Sequence, residues 1–195
     1  MNKKIIFFNG PPRVGKDTLV TGLLSRFPTA QNIKFSTPLK SALPVFFGLT
    51  QSQIDNLEQN KDTSKDYFLG KSWREVQISL SENWAKPIFG NKVFGNITKN
   101  IINNDHDANI FLISDSGFQE EAEALIDHFG KENCLLIRLR RKDTNFDNDS
   151  RSYWVNKFDI QEITLYNDKS IEAGIDKAQE IIMRWIGREI INDCI

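Results

Sequence analysis

The sequence predicts an α/β fold in which a parallel sheet carries helices on both faces. Three observations predict it. Short, wholly apolar runs alternate with amphipathic helical stretches along the chain. Those runs lack the in–out alternation of a half-exposed strand, so both faces of the sheet must be covered. A helix-rich middle over residues 37–104 is too long for a simple crossover. It is expected to sit over the carboxyl edge of the sheet, where ligands bind in such folds.

The elements follow in order. Lys3 to Phe8 reads as a short buried strand, stopped by Gly10-Pro11-Pro12. A helix follows over about 16–26, with Leu19, Val20, Leu23 and Leu24 on one face and Pro28 beyond its end. Residues 31–36 read as a weak second strand. Thr37-Pro38 marks a helix start, with Thr37 as N-cap, and Pro44 and Gly48 keep that helix short or kinked. Another short helix is expected over 50–57, then a polar surface loop over 59–71. Ser72-Trp73-Arg74-Glu75 fits a capping box and opens a helix to about Lys86, before Pro87. A further helix is expected over 91–103, a buried strand over 109–114 and a helix over 118–129 with Gly130 at its end. Residues 133–139 read as a strand, 163–166 as a short last strand, and 170 to about 190 as a long amphipathic helix.

The 195 residues are expected to form one domain, 1–195, with a helical acceptor-binding region over 37–104 and a lid-like loop over 140–152. Hydrophobic residues at 39% and charged residues at 26% suit a soluble globular chain that needs no disulfide or metal staple. Lys+Arg number 25 against 26 Asp+Glu, a net −1, so no global basic field holds nucleic acid non-specifically. Cys134 and Cys194 are too few for a disulfide framework, and Cys134 lies in an apolar run as a small core residue. His106 and His128 make no metal-ligand spacing with either cysteine. No 18-residue apolar stretch or signal-peptide core is present. The expected setting is the cytoplasm, with no membrane partner, as monomer or homodimer.

The chemistry is carried by Gly10-Pro11-Pro12-Arg13-Val14-Gly15-Lys16, whose glycines and lysine stand at the P-loop spacing between a strand and a helix. Such a loop turns successive backbone N–H groups inward around a polyphosphate, which requires glycine where a Cβ would intrude. The following helix lays its positive dipole end on the phosphates. Gly10, Arg13, Val14, Gly15, Lys16, Asp17 and Thr18 are therefore the expected nucleotide contacts, with Lys16 at the β- and γ-phosphates of ATP. Asp17 stands where the strict pattern has Ser or Thr, so the usual magnesium-contacting hydroxyl is either displaced to Thr18 or absent.

Asp115 ends the strand at 110–114. That position suits magnesium, held directly or through water, the reading the upstream loop favours, with a helix N-cap as the alternative. Arg138, Arg140, Arg141 and Arg151 flank the charged loop, where arginines neutralise a transferring phosphoryl group and exclude water. Arg138 is expected at the nucleotide, Arg141 and Arg151 at the transferred group. Lys40 and Arg74, near the starts of two middle helices, are candidate acceptor-site cations, with Ser36 and Asp115 beside them.

The run Gly10 to Thr18, then Phe35-Ser36-Thr37-Pro38-Leu39-Lys40, then Ile113-Ser114-Asp115 with Phe118 and Glu121-Ala122, resembles the phage-type deoxynucleoside monophosphate kinases. Asn167-Asp168-Lys169-Ser170 before a terminal helix fits the same pattern. The resemblance implies an adenylate-kinase-like P-loop fold, ATP and magnesium, and a deoxynucleotide acceptor. It also implies that Lys16 and Thr18 bind ATP phosphates and that Lys40 and Arg74 lie by the acceptor. Asp17 is a feature of that group. Gly117 stands where the family carries arginine.

Three functions remain open on the sequence. A monophosphate acceptor is already anionic and needs only cations to screen its approach. A hydroxyl acceptor, on a nucleoside or on a hydroxymethylated base in DNA, must lose a proton, for which Asp115 or Asp17 is placed. A non-catalytic nucleotide-binding protein is the third.

Overall fold

A computed structural model describes residues 3–147, 149 and 151–192 of the chain. Five strands, β1 (Lys4–Asn9), β2 (Ala30–Ile33), β3 (Ile110–Ile113), β4 (Cys134–Arg140) and β5 (Gln161–Tyr166), form one sheet in the order β2-β3-β1-β4-β5. Every neighbouring pair is parallel; Lys4 stands opposite Ile110 and Ile5 opposite Cys134. The chain leaves β1 for one edge of the sheet, returns through β3, and crosses to the other side for β4. The order therefore reverses at the carboxyl end of β1, which places a ligand crevice there.

The apolar runs divide between two cores. Ile5, Phe7, Phe111, Ile113, Cys134 and Leu136 face one side, and Ile6, Phe8, Leu112, Leu135 and Ile137 the other. On the second side lie α1 (Lys16–Arg26) and α8 (Ile171–Asn192), bringing Leu19, Val20 and Leu23 against Ile175, Ala178, Ile182 and Trp185. The first side carries α6 (Val93–Asn104) and α7 (Gln119–Phe129), together with α2 (Thr37–Phe46), α3 (Gln51–Gln59), α4 (Trp73–Leu80) and α5 (Lys86–Phe89). Burial on both faces explains why these strands read as continuous rather than alternating apolar segments.

Several local expectations change. Residues 34–36 are not strand, because the chain bends there toward Asp115. The N-cap of α2 is Ser36 rather than Thr37, and it caps without its hydroxyl, which donates to Asp115 instead. Ser72 does form the capping box: its hydroxyl accepts the Glu75 amide, and Glu75 accepts the Ser72 amide. That helix nevertheless does not stop before Pro87. A π-helical turn over Ser81–Ala85 reorganises the hydrogen-bond ladder, and Pro87 falls in the first turn of α5 just beyond it. Gly90, at φ 87°, ends it. The polar stretch at 59–71 contains a 3₁₀ turn, Asp66–Phe68, whose Phe68 is buried and stacks 5.6 Å from the Trp73 ring. Cys134 is buried and its thiol is pushed up to about 12, chiefly by desolvation, which suits a core residue. Cys194 lies outside the described residues. No helix among the described residues is long and apolar enough to cross a membrane.

Phe8 is fully buried on the central strand beside the loop. Phe8→Ala is expected to destabilise the protein by about 3–5 kcal/mol, read as a lowered urea midpoint at unchanged slope.

Candidate nucleotide-binding site

The turn from β1 to α1 has the shape of a cradle. Arg13 (φ 63°) and Gly15 (φ 101°) both adopt left-handed backbone, which curls 10–15 back on itself. Glycine is required at both of its positions. At Gly15 a Cβ would combine an unfavourable φ with a contact 2.5 Å from the Asn167 amide nitrogen. At Gly10 it would meet the Leu139 carbonyl oxygen at 2.8 Å and Val14 at 3.1 Å. The N-cap of α1 is Gly15, with no side chain on the first amides, so the positive end of an 11-residue helix faces the cradle.

Lys16 bridges this loop. Its ammonium donates to the Gly10 and Pro11 carbonyl oxygens at 2.6 and 2.8 Å. Desolvation first, then the Arg151 guanidinium, lower its pKa to about 8, against the opposing pull of Asp17, Asp149 and Asp115. Two asparagines outside the loop fix its ends. Asn167, after β5, donates to the Val14 carbonyl at 2.8 Å. Asn9, the buried last residue of β1, donates to the Ser116 and Ser152 carbonyls at 2.9 and 3.2 Å and accepts the Trp154 amide at 3.3 Å.

Acidic groups line the adjoining sheet edge. Asp17 accepts from Lys34 at 2.5 Å and from the Ser114 hydroxyl at 3.1 Å. Partial burial opposes its charge, but the Lys34 ammonium and the Ser114 hydroxyl outweigh it and hold the carboxyl below its usual range. Asp115 is not the N-cap of α7, which starts at Gln119 behind Phe118. It accepts the Phe35 amide (2.9 Å), the Ser36 amide (3.0 Å) and the Ser36 hydroxyl (2.8 Å), tying β3 to the start of α2. Both oxygens are engaged, so a magnesium ion at Asp115 would be reached through water by its remaining lone pairs. No cluster of three His, Cys, Asp or Glu side chains fit to hold a metal occurs among the described residues. Thr18 is exposed in the first turn of α1.

Glu121, in the first turn of α7, is buried to 5% exposure. Desolvation, reinforced by the Asp115 charge, raises its carboxyl to about 8, with Lys86 pulling the other way. Lys86 is itself buried; it pairs with Glu82 at 2.7 Å and lies 3.9 Å from the Phe118 ring centroid.

Of the residues expected from sequence, Lys16, Asp17, Asp115 and Arg151 share one electrostatic neighbourhood, and Ser36 joins it through Asp115. Thr18 and Arg13 are exposed on the loop side. Arg138 is engaged elsewhere: it pairs with Glu162 at 2.7 Å, donates to the Trp154 carbonyl at 2.9 Å and lies 5.2 Å from the Tyr153 ring centroid. In this structure it braces β4, β5 and the 153–154 segment. Arg141 is exposed and pairs with no acid among the described residues. Lys40 pairs with Glu58 at 3.1 Å, and Arg74 pairs with Asp62. Sequence reasoning passed over Asn9, Lys34, Lys86 and Glu121 as site residues. A polar residue closing a buried strand was the available signal for Asn9. Asn167 belonged to the quoted Asn-Asp-Lys-Ser run.

A glycine-rich turn closed by lysine, at the carboxyl end of the central strand of a parallel sheet, defines a P-loop α/β protein. No protein-family model matches the chain. No curated protein matches its sequence. Among solved structures, the crystal structure of shikimate kinase from Aquifex aeolicus vf5 aligns with 95% of this chain and 98% of its own, at 16% identity and a TM-score of 0.37.

Glu121 carries a testable consequence. Its carboxyl ionises near 4.5 in the unfolded chain and near 8 when folded. The folded state therefore holds the extra proton in that window, and stability falls as pH rises through it. Glu121→Gln, which stays neutral, should flatten that fall, so the variant gains on wild type toward pH 8 in urea titrations run across the window.

Proposed function

We propose that the protein is an ATP-dependent phosphotransferase of the P-loop kinase class, acting on a deoxynucleoside monophosphate. The observation that carries the reading is the cradle itself. Gly10 and Gly15 leave no room for side chains, the α1 amides are uncapped, and the Lys16 ammonium rests on loop carbonyls it can exchange for phosphate oxygens.

ATP, when bound, supplies the transferable phosphoryl group, and magnesium would be held with Thr18 and, through water, Asp115. The loop amides and Lys16 orient and neutralise the phosphates. Arg151 adds positive charge from the opposite segment. Asp115 locks the turn before α2 and so fixes where the middle helices meet the loop. The choice of a deoxynucleotide acceptor rests on the sequence resemblance.

A specific observation favours a second reading, in which the acceptor presents a hydroxyl. Lys40 and Arg74, the cations expected beside an acceptor phosphate, already have carboxylate partners. The sheet edge also carries two neighbouring carboxyl groups, Asp115 and Glu121. ADP release measured with MgATP and each dNMP, then with nucleosides and hydroxymethylated DNA, separates the readings. Turnover with dNMPs alone supports the first. Turnover only with hydroxyl acceptors supports the second. ATP binding with no acceptor-dependent ADP overturns both in favour of a non-catalytic nucleotide-binding protein.

Two outcomes follow for Lys16. Lys16→Ala should lower turnover on the order of 100-fold or more while the melting transition persists. In wild type, ATP binding at pH 8 should take up protons, because the phosphates restore the ammonium that burial disfavours. Titration calorimetry in two buffers of different ionisation enthalpy reads that uptake; it should vanish in Lys16→Ala, and wild-type affinity should fall as pH rises beyond about 8.

A further inference from the structure

Arg151 stands beside the P-loop because Gly117 has no side chain. A Cβ added at Gly117 would lie 2.7 Å from Arg151 Cγ and closer still to its Cδ. The backbone following Arg151 is held by Asn9, through the Ser152 carbonyl and the Trp154 amide, and the same side chain holds Ser116 next to Gly117. The arginine stem is thus clamped between two segments that share one buried anchor.

The guanidinium grips Asp149 with both prongs: Nε donates to Oδ1 at 2.7 Å and Nη2 to Oδ2 at 2.5 Å. The pair is shielded from water, with side-chain exposures of 27% for Arg151 and 13% for Asp149. Arg151 first, and Lys16 more weakly, hold the Asp149 carboxyl below its usual range. A carboxylate in the joint field of an arginine and the loop lysine occupies the electrostatic position that a phosphate group would take. Carboxylate and phosphate use the same guanidinium fork, so one excludes the other.

We propose that Asp149 holds the place of a phosphate: its carboxylate neutralises Arg151, seated on Gly117, and a bound polyphosphate takes the guanidinium over. Asp149 and Gly117 are then positioning residues acting through Arg151. Asp149 weakens nucleotide binding, and Gly117 permits it. This rests on the nucleotide-binding reading above.

The experiment is calorimetric titration of the full-length protein with ATP and with inorganic triphosphate. Asp149→Asn should bind both more tightly, on the order of tenfold. Arg151→Gln should bind them more weakly by a similar factor, and Gly117→Val, which drives the stem aside, should match it. In the Asp149→Asn/Arg151→Gln double variant the Asp149 substitution should gain less than it gains in wild type, because Arg151 is no longer there to be released and only the weaker field on Lys16 remains. The groups facing Lys16 are Arg151, Asp17, Asp149 and Asp115. Removing Arg151 should therefore move the pH at which binding fades upward, and removing Asp149 should move it downward. A merely structural role would not produce shifts of opposite sign. Asp149→Asn binding no more tightly than wild type overturns the exchange, as does a gain from Asp149→Asn in the Arg151→Gln background as large as its gain in wild type. Should Asp149→Asn lose its fold, Asp149→Ser must show the same gain. Wild-type protein that binds neither ligand overturns the nucleotide reading together with this inference, whereas binding without the gain overturns the inference alone.

Discussion

One buried amide side chain, that of Asn9, holds the active edge together. It ends the central strand at 1% exposure and satisfies backbone groups on two other segments, at Ser116, Ser152 and Trp154. Those segments meet where the parallel ladder stops and its carbonyls and amides need new partners. A hydrophobic residue there would leave the Ser116 carbonyl and the Trp154 amide buried without this partner, each costing on the order of 1–3 kcal/mol. The P-loop, the turn after β3 and the arginine-bearing segment are therefore not three independent loops. They share one hydrogen-bonding centre, and displacement of any one strains the other two.

Around that centre the charges are arranged in matched pairs. Lys34 meets Asp17, Lys86 meets Glu82, and Arg151 meets Asp149. Among the described residues Lys16 has no carboxylate ion-pair partner and rests on neutral carbonyls. Those neutral partners are more easily exchanged than a carboxylate. Burial already opposes the charge of that lysine, so anion binding and proton binding are coupled there.

The strands, the loop and the helices α1, α7 and α8 were legible because each is written locally. An apolar run of strand length, a Gly-Pro stop and a helical apolar stripe need no knowledge of the rest of the chain. The limits of α1 match the residues read from the sequence. What was not legible depends on distant partners. Asp115 meets the 35–36 turn from 80 residues away, and that contact takes Ser36 out of side-chain capping. Arg138 reads as a loop-edge cation until β5 is paired beside β4 and supplies Glu162. Pro87 reads as a helix stop unless the π turn before it is known, and nothing in Ser81–Ala85 announces that turn. The burial of Glu121 follows from the close approach of α6, where a Cβ on Gly95 would strike the Glu121 backbone.

The bond from Asn167 to the Val14 carbonyl spans 153 positions of chain. During synthesis the loop and its first helix leave the ribosome long before the side chain that braces them. β5, which delivers that brace, can pair only after β4 is in place at the sheet edge. The braced form of the loop must therefore mature late in translation, although its glycines and lysine are among the earliest residues made.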